Sequence, residues 1–600
     1  MYAHDTHQGD GTRETHRGVP QRTRHPARAP NADPAAHPRS VATHTTSIRK
    51  HQRTMGKDPV MNALTRKLAA GVIAAATMLG LAGLGTTTAN AADTATLTVS
   101  TTDAKFAGKT ANAYKMFDAV ASGSTDTGDK AVTYTLDASW NGFFTGTDDA
   151  ASGANCSGDD AAVSTCAYNY VSGLTDTDAL TGFARKASNW AQKTGSNITA
   201  AKTATVSATA TNGKYTASFA DLAYGYYLVA VEGAAVANTS GQYATLVSVD
   251  SATVETSIKG DLPTVEKKVD GNDSANAQIG QKLTFTLTST IPDMTAYDSY
   301  TFNFKDTLSA GLTFNAITSV KVDGDADALV ENTDYTVTKP TAANGNQLTV
   351  AMTDFKNKQQ ANAGKQIVVT YTATLNENAI VGGAGNTNSA KIEYSNNPNT
   401  NGTGESEPDT VRTFTYQFTI DKYTGDTYSD TAKRLAGAVF QLKAKDGADY
   451  IAFVQENAGN DTTPAVYRVA TDDDDAATKV TEFTTPASGK LTLKGLKNGE
   501  YLLHEKTAPA GYNPLASDIG VKIEGKDNGT EQTKADVTIT YDNEAGASYN
   551  QTATDGVIPV KNNAGSTLPG TGGMGTIAFT VAGVLIVALG VAWYVRRERA

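Results

Sequence analysis

Between Ala92 and Thr571 apolar residues recur mostly at every second position, in short runs rich in Thr, Val and Tyr. Gly, Asn and Asp break the runs, as turn residues do. Thr94–Ser100, Leu283–Thr288, Gln347–Met352, Gln366–Ala373 and Val537–Tyr541 have the alternation of strands with one buried face. Many such strands at this spacing predict β-sandwiches. The period lengthens to that of a helix over Asp178–Gln192, where Leu180, Phe183, Ala184, Ala187 and Trp190 share a face. That predicts one helical insert in an all-β chain.

Two stretches follow neither period. Leu68–Gly85 is continuously apolar, preceded by Arg66 and Lys67 and followed by Ala89-Asn90-Ala91. A short basic region, an apolar run and a small-x-small site make a secretory signal peptide over about 61–91, cut after Ala91. The run falls short of the ~20 residues that a membrane span requires. Upstream of Met55 the chain is rich in His, Arg and Pro without apolar periodicity, so Met55 or Met61 is the expected start rather than Met1. The second stretch, Ile577–Val595, is long enough to span, and Arg596, Arg597 and Arg599 place its end on the cytoplasmic side. Immediately before it stand Leu568, Pro569, Gly570, Thr571 and Gly572.

Composition sharpens this outline. A chain of 600 residues with 39% hydrophobic content exceeds one core, and about three soluble domains are expected. The net charge of −11 conceals an acidic body, with 36 basic and 56 acidic residues over 92–571. Such a body repels phosphate backbones, which excludes nucleic acid as a partner. Of eight histidines only His504 lies in the body, leaving no His-rich metal site and no Ser-His-Asp hydrolase there. No cofactor and no metal are expected. Cys156 and Cys166 are the only cysteines, and in an exported chain they are expected to pair.

Turn-rich breaks near Lys259–Pro263 and Pro408–Phe414 divide the body into 92–258, 259–413 and 414–567, with 568–600 as the C-terminal signal. The first and third parts share L-x-x-G-x-Y-L, at Leu222–Leu228 and Leu496–Leu502, which suggests two related sandwiches around a different one.

The pentapeptide Leu568–Gly572, the span and the basic tail, in that order, resemble the LPXTG sorting signal of Gram-positive surface proteins. The resemblance implies that a sortase thiolate attacks the Thr571 carbonyl and expels Gly572, and that an acceptor amine then resolves the thioester. The third segment resembles the Cna B-type domains of sortase-assembled pilins and adhesins. Its first strand is Phe418–Lys422, its E-box Tyr501–Tyr512 and its last strand Ile558–Asn562. The family forms a spontaneous amide between a first-strand lysine and a last-strand asparagine, promoted by the E-box acid. Carried over, these are Lys422, Asn562 and Glu505, with Asn563 as the rival asparagine. A buried lysine loses its proton and a buried acid keeps one, so a neutral amine can attack a polarised carboxamide and release ammonia.

The middle segment resembles the fimbrial isopeptide-forming domain, through Pro263–Val269, Phe304–Leu312 and Asn388–Tyr394. That assigns Lys267, Asp306 and Asn388, with Lys268 as the alternative lysine. In the first segment the repeat places Val231 where the acid would stand, so no such bond is expected there. The fold implied is tandem immunoglobulin-like, Cna B-type β-sandwiches with intramolecular Lys–Asn isopeptide bonds.

In shaft pilins a lysine at the end of the first domain accepts the incoming thioester. Lys259 has that place, without the family's preceding Tyr-Pro. The resemblance therefore implies a major pilin on the cell surface, held in the membrane until sorted and then anchored to the wall. Its partners would be a pilin-specific sortase, a housekeeping sortase, copies of itself, minor pilins and peptidoglycan, with the host receptor unknown. The alternative of similar outline is a monomeric wall-anchored adhesin binding host matrix or glycans. A glycosidase would need a carboxylate pair, and the acids lie mostly in turns and in runs such as Asp472–Asp475, so no enzyme is expected.

Overall fold

Alternation along single strands builds the cores. In Gln366–Leu375 the residues Ile367, Val369, Tyr371, Ala373 and Leu375 are buried while their neighbours are not, as the two-residue repeat of a strand requires. The computed structural model describes residues 94–122, 131–238, 242–429, 431–526, 536–543, 548–565 and 574–599. The expected signal peptide and the pentapeptide Leu568–Gly572 lie outside the described residues.

The middle sandwich pairs two sheets. One has the order Leu312–Val322, Gln366–Leu375, Lys282–Thr290, Glu266–Val269. The other runs Ser274–Asn276, Asp409–Phe414, Asn386–Ser395, Phe302–Leu308, Gln347–Met352, Tyr335–Thr338, with Thr403–Glu405 beside Asn386–Ser395. Pro408–Phe414, expected as a turn-rich break, instead contains a strand of this sheet. Val411 and Thr413 alternate inward, and Asp409 accepts the backbone N–H of Lys267 at 2.7 Å. The chain crosses to the third sandwich at buried Thr415, whose hydroxyl donates to the Leu496 carbonyl at 3.1 Å.

In the third sandwich Tyr416–Thr424 lies between antiparallel Lys490–Leu496 and parallel Val557–Lys561. The facing sheet includes Val439–Ala444, Gly499–Thr507, Ile519–Lys526 and Asp536–Asp542. The first sandwich repeats the arrangement: Thr94–Thr101 lies between antiparallel Tyr215–Ala223 and parallel Thr253–Ser257. The shared heptapeptide forms the same corner in both. Tyr227 donates its hydroxyl to the Ala223 carbonyl at 2.7 Å, and Tyr501 donates to the Lys497 carbonyl at 2.8 Å.

The first domain departs from the other two in its helices. Its larger sheet buries both faces. Ala113, Tyr227 and Val229 face the sandwich core, whereas Met116, Leu228 and Ala230 face a second core with Trp140, Phe143, Phe144 and Phe183. The expected helix is present as Thr177–Gln192, with the Asp176 carboxylate accepting the backbone N–H groups of Asp178 and Ala179. Two further helices, Asn141–Thr145 and Asp160–Ser172, were not expected. The second has only Val163 and Ala167 fully inward among Ser, Thr, Asn and Tyr, so its sequence lacks a strong apolar stripe. Cys166 on this helix is bonded to Cys156 in the loop before it. The C-terminal helix Met574–Arg597 includes Ala578–Arg597, long and apolar enough to cross a membrane.

Closing so short a loop constrains the unfolded chain by about 2–3 kcal/mol. Cys156→Ser/Cys166→Ser is therefore expected to lower the first domain's urea midpoint while leaving the other two unchanged. An unaltered midpoint contradicts this.

Candidate cross-linking sites

Three strands bring the middle constellation together. Glu266–Val269 turns Lys267 and Val269 inward and Lys268 outward, where Lys268 pairs with Asp273 at 2.5 Å and Glu266 at 3.3 Å. Phe302–Leu308 buries Phe302, Phe304, Asp306 and Leu308 on one face. Asn388 lies directly opposite Leu308 on the adjacent strand, one inward step from Asp306. Lys267, Asp306 and Asn388 are all 0% exposed. The Lys267 ammonium stands 2.5 Å from Asp306 Oδ2 and 5.2 Å from the centroid of the Phe285 ring. Burial lowers its pKa against the raising influence of Asp306.

The third constellation has the same logic on different strands. Along Tyr416–Thr424 the inward residues are Tyr416, Phe418, Ile420 and Lys422. Lys422 is opposite Val560, and Asn562 follows two residues on, buried, with Asn563 exposed. Glu505 arrives from the facing sheet in the inward series Tyr501, Leu503, Glu505. Lys422 Nζ is 2.7 Å from Glu505 Oε1, while Asn562 Nδ2 donates to Glu505 Oε2 at 3.1 Å and to the Asn513 carbonyl at 2.6 Å. The Leu515 N–H donates to the same Oε2 at 2.9 Å. Burial pulls Lys422 down from 10.5 to about 8, with Glu505 opposing.

One carboxyl, one amine and one carboxamide thus share a closed space in both the middle and the third sandwich. An ion pair in such a place has lost its hydration, and removing either partner strands a charge at a cost of several kcal/mol. What sequence reasoning missed is Tyr371, whose hydroxyl touches Lys267 Nζ at 3.1 Å, Asp306 Oδ2 at 2.5 Å and Asn388 Nδ2 at 2.6 Å. The signal was available: it is the one polar side chain in the inward series of Gln366–Leu375. The Asn513 carbonyl and the Leu515 N–H carry no side-chain signal.

The first domain has the frame without the chemistry. The shared corner aligns Leu222 with Leu496, so Thr101 takes the place of Lys422. The parallel last strands then align Gly260 with Asn562, and the corner itself aligns Val231 with Glu505. Amine, amide and acid are all replaced. Lys259 follows the strand Thr253–Ser257, half-buried, and makes no ion pair among the described residues. Thr571 and Gly572, with Leu568, Pro569 and Gly570, are beyond the described residues.

Comparison with known proteins matches residues 279–398 to the Gram-positive pilin backbone subunit 2, Cna-B-like domain. Residues 418–539 match the prealbumin-like fold domain, and 560–600 match the LPXTG cell wall anchor motif. The trypsin-resistant surface T6 protein of Streptococcus pyogenes serotype M6 is 27% identical over 282 residues, 42% of this chain and 44% of that protein. The chain thus matches less than half the length of this curated relative. The solved T6 backbone pilin of S. pyogenes is 18% identical, with 79% of this chain and 99% of that one covered at a TM-score of 0.39. The full-length major pilin SpaD of Corynebacterium diphtheriae is 20% identical, with 79% and 98% covered at a TM-score of 0.37. The matched pilin backbone domain, prealbumin-like domain and cell wall anchor motif follow one another in that order along the chain.

Proposed function

We propose that this chain is the shaft subunit of a covalent pilus, stiffened internally by Lys267–Asn388 and Lys422–Asn562 amides and joined to its neighbours through Lys259 and Thr571. The observation that carries the reading is the pair of buried Lys–acid–Asn constellations, each tied to the first strand of its sandwich. In the third domain a proton passes from Lys422 Nζ to Glu505 across their contact, leaving a neutral amine and a neutral acid. The amine attacks Asn562 Cγ, the Cγ–Nδ2 bond breaks, and Nδ2 leaves as ammonia with one proton from the amine and none lost overall. Two buried polar groups, the amine and the carboxamide, become one amide, which is less costly to bury. The middle domain follows the same balance with Lys267, Asp306 and Asn388.

Between subunits, a sortase thioester at Thr571 would be resolved by the Lys259 amine of the next copy. A pilin-specific sortase would build the shaft and a housekeeping sortase would transfer it to peptidoglycan, with minor pilins as further substrates. The middle and third domains, each closed by its own amide, would bear axial load without unfolding. The first domain, lacking one, would be the extensible element.

Wall extracts of cells making this chain are expected to give a ladder of detergent-resistant oligomers, which Lys259→Ala abolishes. A single band from the unaltered chain would contradict the shaft and favour a monomeric adhesin. A second expectation concerns Asn562→Ala, which keeps Lys422 as an amine. Between about pH 8 and its ordinary value of 10.5 the unfolded chain holds a proton that the folded chain has released. Stability therefore rises with pH across that window and is flat below it. Urea unfolding of the third domain should show this rise relative to Asn562→Ala/Lys422→Met; a fall would show that Lys422 is not desolvated.

A further inference from the structure

The two constellations differ in reach. Glu505 touches the amine with one oxygen and the carboxamide with the other. Asp306 is one methylene shorter, and both of its polar contacts, to Lys267 and Tyr371, fall on Oδ2. Its Oδ1 has no partner among the described residues. The amide nitrogen of Asn388 bonds instead to the Tyr371 hydroxyl, at 2.6 Å. Lys267 also reaches that hydroxyl, so one oxygen joins nucleophile, acid and leaving group in a space closed to water.

We propose that Tyr371 is the positioning and proton-relay residue of the middle cross-link, spanning the gap between Asp306 and Asn388 that Glu505 spans unaided in the third domain. This rests on the cross-linking reading above. As Lys267 Nζ bonds to Asn388 Cγ and the Cγ–Nδ2 bond breaks, the Tyr371 hydroxyl gives its proton to the departing nitrogen. The Asp306 carboxyl, protonated beforehand by the lysine ammonium, returns that proton to the tyrosine oxygen. The amine's second proton is released to the carboxylate, and ammonia leaves with all atoms accounted for. Burial and the neighbouring Asp306 hold the tyrosine hydroxyl well above its usual pKa, so it passes a proton on without persisting as an anion.

The ring has a separate structural role, stacked on Phe285 at 5.2 Å, which Tyr371→Phe preserves. The mature chain made by cell-free synthesis, sampled over time and digested, reports each cross-link as a linked peptide pair lacking one ammonia. The wild-type chain should acquire both. Tyr371→Phe should acquire the Lys422–Asn562 pair at the wild-type rate and the Lys267–Asn388 pair about 10²-fold more slowly, the scale of a lost proton transfer. Asp306→Glu/Tyr371→Phe, in which the longer acid can reach the amide directly, should recover much of that rate. Equal rates in Tyr371→Phe and wild type would overturn the relay and leave the cross-link standing. A double variant no faster than the single one would overturn the reach argument. A wild-type chain that never forms the middle pair would overturn the reading underneath. Protease resistance of the middle domain in each variant separates slow chemistry from failed folding.

Discussion

A lysine nitrogen with no access to water governs this molecule. Lys267 and Lys422 are both fully buried, each on the inward face of a sandwich's first strand and beside aromatic rings. Nothing in an apolar core hydrates an ammonium, so each must be paired, neutralised or converted. The neighbouring carboxyl pairs it; on the proposed reading the same carboxyl would take its proton and the nearby carboxamide would offer a permanent end to the conflict. An unfavourable burial would thereby become a reactive one. Folding brings amine, carboxyl and carboxamide into one closed space, where proximity would remove much of the barrier to the proposed reaction.

The strand arrangement turns that chemistry into mechanics. In the third domain the amide would tie the first strand to the segment following the last, just before the sorting signal. Tension entering at either end would pass through covalent bonds before it reached the hydrogen bonds of the sheets. The first domain keeps the same strand neighbours and the same tyrosine corner, yet places Thr101, Val231 and Gly260 at the three reactive positions. It carries instead a second core under three helices and one disulfide. On the proposed reading, related frames would serve two purposes, one closed by an amide and one without it.

Much of this was legible because strands have a period of two. The alternation that marked Gln347–Met352 or Gln366–Ala373 also decided which of Lys267 and Lys268 faces inward, once the register was known. The repeated L-x-x-G-x-Y-L was legible because the corner needs its leucine, its glycine and its tyrosine at fixed places. Asp160–Ser172 was not, since its inward face is small and its stability comes from packing on the sheet and from Cys166. Asp409–Phe414 was obscured by Pro408 and its charges, which sit at a sheet margin. Tyr371 was visible as the one polar member of its inward series, but its role was not, because its three partners come from other strands and no local pattern encodes them.

The account stands or falls on whether the buried pairs react. Intact mass of the mature chain, followed by peptide mapping, measures this directly. The account predicts a mass below that of the disulfide-bonded sequence by two ammonia molecules, with Lys267 linked to Asn388 and Lys422 linked to Asn562. A mass equal to that sequence, with all four residues recovered in separate peptides, would contradict it.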